Sequence, residues 1–291
     1  MKNNKIVEKE KFCIKKWLKD NLTLSVFDIA LFALFIALYF IADSVQRFAL
    51  TGPRKIAITY TLFIIFGIVL GPIKGGILAL LCDTVTQLIY GIQFWMIEYA
   101  IVPVLIAVLS SLIFKLRKFD SHWLWLIGFF IITFTTAIFV TIILLESDLI
   151  KWKETSRKAK PIASNVVTIV SSISIGCIWI FSISLALIHR FTKNENWKNN
   201  TTTIFIIFIN TTVSMILFRW IWGPFSYINF HNRFFNKRGT WTYSDYYLIW
   251  MIPIIFKSLI EIPVYTFLTY SLYPVIRYMQ NQYKIQNKAK Y

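Results

Sequence analysis

Residues 123–145 read WLWLIGFFIITFTTAIFVTIILL, with no charged side chain and only threonine hydroxyls for polarity. Coiled as a helix at about 1.5 Å per residue, the run is long enough to cross the roughly 30 Å hydrocarbon layer of a bilayer. It is apolar on every side, so no stripe of it prefers water. A β-strand reading would need alternating polarity, which is absent. The fold class follows: this segment is a membrane helix.

Similar runs lie on both sides of it. Toward the N-terminus they cover about 24–42, 56–70, 74–90 and 94–114. Toward the C-terminus they cover about 162–188, 203–222 and 248–276. About eight spans are therefore expected. All should be helical, because lipid offers no partner to free backbone N–H and C=O groups. Composition agrees: 57% of the 291 residues are hydrophobic and 15% are charged, with a mean hydropathy of +0.60. A soluble globular protein carries far more charge, and a disordered chain far less apolar content.

The net charge of +17 would suggest nucleic acid in a soluble protein. Here the basic residues lie mainly between the apolar runs, where they set membrane orientation, and no nucleic-acid partner is expected. With the N-terminus in the cytosol, eighteen of the 31 Lys and Arg fall on the cytosolic side and eleven outside. Both termini are thus expected in the cytosol, in a multi-pass protein of the cell membrane. Residues 1–22, rich in lysine and without a cleavage site after the first apolar run, read as a cytosolic basic tail rather than a signal peptide. Residues 280–291 read as a second such tail.

Cys13, Cys82 and Cys177 are far apart, as are His122, His189 and His231, so no metal site or disulfide framework is expected. The segment GPIKGG at 71–76 lacks the Lys-Ser/Thr pair of a phosphate-binding loop. No other catalytic constellation appears. The chain is not expected to be an enzyme or to need a cofactor, and any uphill transport would draw energy from a partner or an ion gradient.

Polar groups inside the spans are then the informative residues, since each costs a few kcal/mol to bury in hydrocarbon. They are Asp28, Asp83, Gln87, Glu98, Asn210, Arg219, Lys257 and Glu261. Asp28 and Arg219 read as side chains reaching to the interface from span ends. Lys257 and Glu261, four apart, read either as an internal ion pair or as a ligand-binding lysine and its neighbour. Ala30, Ala33 and Ala37 form a small-residue strip on the first span, which permits close approach of another helix. The stretch 223–247, GPFSYINFHNRFFNKRGTWTYSDYY, reads as a lid or as an interfacial aromatic belt.

Residues 52–89, GPRKIAITYTLFIIFGIVLGPIKGGILALLCDTVTQLI, resemble the substrate-binding S component of energy-coupling factor (ECF) vitamin transporters, most nearly the folate-type branch. The similar features are Gly52, Lys55 and Ile56 entering the second helix, then Leu70-Gly71-Pro72 with Gly75, then Asp83. Residues 202–225 and 252–274 are also similar, through Asn210-Thr211, Lys257 and Ile262-Pro263. Together the similar parts cover about 170 of the 291 residues. Departures are an apparent extra pair of spans within 119–201, where the family has six helices in all, and a fourth span without the Arg usual in folate-type members. The turn at Glu98 and the closing Tyr273-Pro274-Val275-Ile276 are closer to the riboflavin-type branch.

The resemblance implies an all-α, polytopic integral membrane helical bundle. Residues 23–118 would supply S-component helices 1–4, 119–201 an inserted transmembrane pair, and 202–279 helices 5–6. It also implies vitamin uptake: substrate binding at the outer face, then delivery to the cytosol with energy from two partner ATPases through a transmembrane T component. Residues implied to line the site are Arg47, Arg54, Lys55, Tyr60, Gln93, Trp95, Glu98, Asn210, Trp220 and Lys257. Ala30, Ala33 and Ala37 would dock the T component. Folate or a relative is the expected substrate, with riboflavin or another vitamin as the alternative. An ion-coupled secondary transporter acting alone, with Asp83, Glu98 or Glu261 as proton relay, is the rival mechanism. An intramembrane enzyme or assembly factor working through 223–247 is a third.

Overall fold

The computed structural model describes residues 23–48, 56–91, 95–149, 164–235 and 240–288, and those residues form a helical bundle without strands. The helices are α1 (Val26–Phe48), α2 (Thr59–Leu70), α3 (Pro72–Tyr90), α4 (Ile97–Phe114), α5 (Ser121–Leu149), α6 (Ser164–Phe191), α7 (Glu195–Met215), α8 (Trp222–Phe234) and α9 (Tyr243–Lys288). A 3-10 turn, Lys115–Lys118, follows α4, and a π-helical segment, Ile216–Ile221, joins α7 to α8. Successive rods reverse direction and give the bundle two ends. One holds the starts of α1, α3, α5 and α7, and carries Lys74, Lys115, Arg117, Arg190 and Lys198; we call it the basic end.

Among the described residues, seven helices are long and apolar enough to cross a membrane, and many large apolar side chains face outward from them, among them Ile41, Leu81, Leu126, Phe130, Ile180 and Phe267. Such a surface suits lipid rather than water. The chain is a multi-pass membrane protein.

The expected second span corresponds to α2, which has only 12 residues and a rise of about 18 Å, too short to cross alone. Its position explains how this is tolerated. Nine of the twelve residues are buried, so α2 lies within protein, where the length demanded by lipid does not apply. Gly71, at φ +86°, ends α2, and Pro72 opens α3 in the same turn. That φ is open to glycine and strained for other residues.

The last two expected spans are longer than hydropathy suggests. The seventh lies within a continuous 40-residue rod, Glu195–Phe234. The eighth is part of the 46 residues of α9, with Pro253, Pro263 and Pro274 inside it. Rods of about 60–70 Å extend past a hydrocarbon layer of about 30 Å. Stretch 223–247 is thus largely a helical hairpin, formed by α8 and the start of α9, with an aromatic core. His231 stacks on Trp241 with ring centroids 3.5 Å apart, and Trp241 stacks on Tyr246 at 4.6 Å. Asn232 clamps the tip, donating from Nδ2 to the Trp241 carbonyl (2.9 Å) and accepting from the Trp241 N–H (2.7 Å). Replacing Asn232 by Ala removes both bonds. The expected cost is about 2 kcal/mol, at about 1 kcal/mol each, read as a lower thermal midpoint in detergent; an unchanged midpoint would show that the rings alone hold the hairpin.

Two apolar cores meet inside the bundle. Phe35, Phe66, Leu78 and Ile106 centre the one built by α1–α4 with Ile276 of α9. Phe139, Phe205, Trp220 and Ile255 centre the other, which α5–α9 and the π segment build with Ile113 of α4. Tyr60 packs against both. The pair expected as an insertion, α5 and α6, covers α7 with aromatic contacts: Trp125 stacks on Phe205 at 3.9 Å, and Phe181 meets Phe208 at 4.6 Å.

Candidate functional site

The seam between the two cores holds a charged cluster. Glu261, on α9, is fully buried, and its carboxylate meets two cations. Lys257, one turn earlier on the same helix, places Nζ 3.2 Å from Oε1, which the four-residue spacing anticipates. Arg219, from the π segment, places Nη2 3.3 Å from Oε2. The Ala57 N–H, just before α2, also approaches Oε1 at 3.5 Å.

Aromatic rings line the cluster. The Arg219 guanidinium lies 4.8 Å from the centroid of Tyr60, within cation–π range. Tyr60 in turn stacks on Tyr265, 6.5 Å away and nearly parallel. Tyr265 is buried beside Glu261, and Oε2 of Glu98 is buried without a hydrogen-bond partner among the described residues. Trp222 ties Glu98 to the same wall by donating from Nε1 to its backbone carbonyl (2.8 Å). Arg219 and Lys257 are partly exposed, at 17% and 25% of their side-chain surface, whereas Glu261 is sealed beneath them. Arg219, Lys257 and Glu261 together carry one excess positive charge.

The π segment accounts for this arrangement. A widened turn changes which way successive residues face, and such segments recur at functional sites. Arg219 meets Tyr60 of α2, while its neighbour Trp220 packs on Phe139 of α5 (4.8 Å) and donates to Ser258 Oγ (2.8 Å). Arg219 therefore does not reach out to the interface as its place near a span end suggested; its head group points into the bundle.

Of the residues expected to line a site, Tyr60 and Lys257 come together here, with Glu98 close by. Trp220, adjacent in sequence, is wholly buried and packs against α5 and α9. Asn210 sits on α7. It is fully buried, and its amide approaches the Ser110 carbonyl at 3.5 Å, joining α7 to α4. Arg47 is engaged elsewhere, 2.7 Å from Asp43 and 4.0 Å from the Tyr90 ring centroid. Trp95 is exposed. Arg54, Lys55 and Gln93 lie outside the described residues. Asp28 sits at the start of α1, as expected for an interfacial group, with Ser25 in a reciprocal cap and Lys74 at 2.7 Å. The cluster adds Arg219, Glu261 and Tyr265 to the expected lining. The signal for the first two was their charge inside a span; for Tyr265 there was none beyond its place one turn after Glu261.

Ala30, Ala33 and Ala37 are all exposed. Leu31, Phe35 and Tyr39 take the inward face of α1, which leaves the alanine strip on the outside of the bundle. No group of three or more potential metal ligands occurs among the described residues.

The fold and the cluster define a multi-pass membrane helical bundle with a buried carboxylate under two cations. Comparisons with protein-family models, curated proteins and solved structures gave no match.

Proposed function

We propose that the chain is the substrate-binding S component of an ECF-type importer in the cell membrane, with both termini in the cytosol. It captures a carboxylated vitamin, folate or a relative, at its outer face. A transmembrane T component and two ATPase subunits then drive delivery to the cytosol. The observation that carries this reading is the pair of partly exposed cations, Arg219 and Lys257, held over sealed Glu261 beside the Tyr60–Tyr265 stack. It lies at the start of α2, toward the end that the Lys and Arg count places outside.

The chemistry suits that substrate class. A guanidinium takes a carboxylate through two parallel hydrogen bonds, and a tyrosine face stacks on a flat heterocycle. Glu261 fixes both cations while leaving part of each accessible. Riboflavin, the alternative, offers no carboxylate to the two cations. In this reading the exposed strip of Ala30, Ala33 and Ala37 is where the T component docks, because small residues let two helices approach closely.

Two measurements test it. Purified without added ligand, the protein is expected to retain a small carboxylated heterocycle identifiable by mass spectrometry. Ala33→Trp and Ala37→Trp are each expected to abolish uptake in cells while ligand binding in detergent stays at wild-type level. Unchanged uptake in both variants would refute the docking surface. Accumulation of the ligand by liposomes holding this chain alone would instead favour the ion-coupled transporter.

A further inference from the structure

A cavity of about 790 Å³ opens at the basic end between α5, α6 and the first two turns of α7. It is separate from the Glu261 cluster: Arg117 of its wall reaches Tyr273, which lies about 18 Å of helix beyond Glu261 on α9. Arg117, Arg190 and Lys198 line it, with His122 and His189. Among the described residues, Glu195 is the only acid on its wall; it lies 3.1 Å from Lys198 and is mostly exposed. Even with both imidazoles neutral, the lining carries an excess of two positive charges.

The remaining polar groups favour an anion as well. The ring of Trp125 lines the cavity, and its indole N–H, which can only donate, is buried behind that wall without a partner among the described residues. Its ring is held in place by Phe205 and by His189, 5.2 Å away. Arg117 is anchored from behind by donating Nη1 to the Tyr273 hydroxyl at 2.6 Å, which ties this wall to α9. The N-terminus of α7 adds the positive end of its helix dipole.

Depth identifies the source of the anion. The exposed rings of Phe119, Trp123, Phe191 and Trp197 surround this end, and such rings collect at the headgroup level of a bilayer. A cavity at that level meets lipid phosphates before it meets dissolved ones, and basic pockets between membrane helices hold anionic headgroups. We propose that α5, α6 and the start of α7 form a binding site for the phosphate headgroup of an anionic membrane lipid. This gives the helix pair within 119–201 a role that does not depend on the function proposed above.

The test uses full-length protein in detergent, titrated with dioleoylphosphatidylglycerol or dioleoylphosphatidylcholine and read by native mass spectrometry. Wild type is expected to prefer phosphatidylglycerol. The double variant Arg190→Gln/Lys198→Gln is expected to bind it roughly thirtyfold more weakly, about fivefold for each basic side chain removed, with phosphatidylcholine binding unchanged. Glu195→Gln removes the opposing carboxylate and is expected to tighten phosphatidylglycerol binding; it decides the matter if the double variant does not fold. Equal binding of the two lipids, an undiminished preference in the double variant, or no tightening in Glu195→Gln would overturn the proposal. Displacement of the lipid by millimolar inorganic phosphate would also overturn it, by making a dissolved anion the ligand.

Discussion

Replacing Glu261 by Ala is expected to destabilise the protein by about 3–5 kcal/mol, the cost of removing one member of a desolvated ion pair. The side chain is fully buried and meets Arg219 and Lys257 on opposite oxygens. Without it, two cations from different elements face each other around an empty site, in surroundings where water cannot screen them well. Glu261→Gln keeps the shape and one accepting oxygen but loses the charge and turns an NH2 donor toward one of the cations, so a loss short of that of Ala is expected. Thermal unfolding in detergent orders the series as wild type, Gln, Ala. A loss below about 1 kcal/mol for Ala would mean that the cluster behaves like an exposed pair.

A companion variant separates stability from binding. Whole buried ion clusters exchanged for apolar residues of similar size are often close to neutral. Arg219→Met/Lys257→Met/Glu261→Met is therefore expected to recover most of the stability lost by Glu261→Ala. It leaves no cation to hold a carboxylated ligand and is expected to bind none. Recovered stability together with retained binding would place the ligand elsewhere in the molecule.

The parts of this fold that could be read from sequence are those that lipid dictates. An uninterrupted run such as 123–145 has one way to satisfy its backbone in hydrocarbon. The Lys257–Glu261 pair follows from helical spacing, and the outward alanines of α1 follow from Leu31, Phe35 and Tyr39 recurring every fourth residue. Features decided by tertiary packing were not legible. The π turn at Ile216–Ile221 alters which way Arg219 and Trp220 face, and nothing in ILFRWI announces it. Asn210 stands out in the sequence because it is polar within a span; its approach to the Ser110 carbonyl, a hundred residues away in sequence, lies beyond any local pattern. Hydropathy also places helix ends where the lipid stops. The rods of α8 and α9 continue past that point because rings such as Trp241 and His231 hold them outside the hydrocarbon layer. The shortness of α2 was hidden for a related reason, since an apolar run reads alike whether lipid or protein surrounds it.

Gly67→Ala, a single added methyl, is expected to be among the most damaging substitutions in the chain. A Cβ built at Gly67 would stand 2.0 Å from the Ala107 carbonyl oxygen, 2.7 Å from its carbon and 2.9 Å from its Cα. All three are backbone atoms of α4, so no rotamer change relieves the overlap. Helices α2 and α4 would have to part, in the middle of the core around Phe66 and Ile106. Overpacking commonly costs 1–3 kcal/mol, and a clash with fixed backbone belongs near the top of that range, about 3 kcal/mol. Alanine's better helix propensity, about 1 kcal/mol over glycine, offsets only part of it. Gly176, on α6, provides the contrast, because a Cβ there meets nothing within 4 Å and the propensity gain stands alone. The same Gly→Ala change should therefore lower the thermal midpoint in detergent at position 67 and leave it level or raise it at position 176. A neutral Gly67→Ala would show that α2 and α4 part at this crossing without cost.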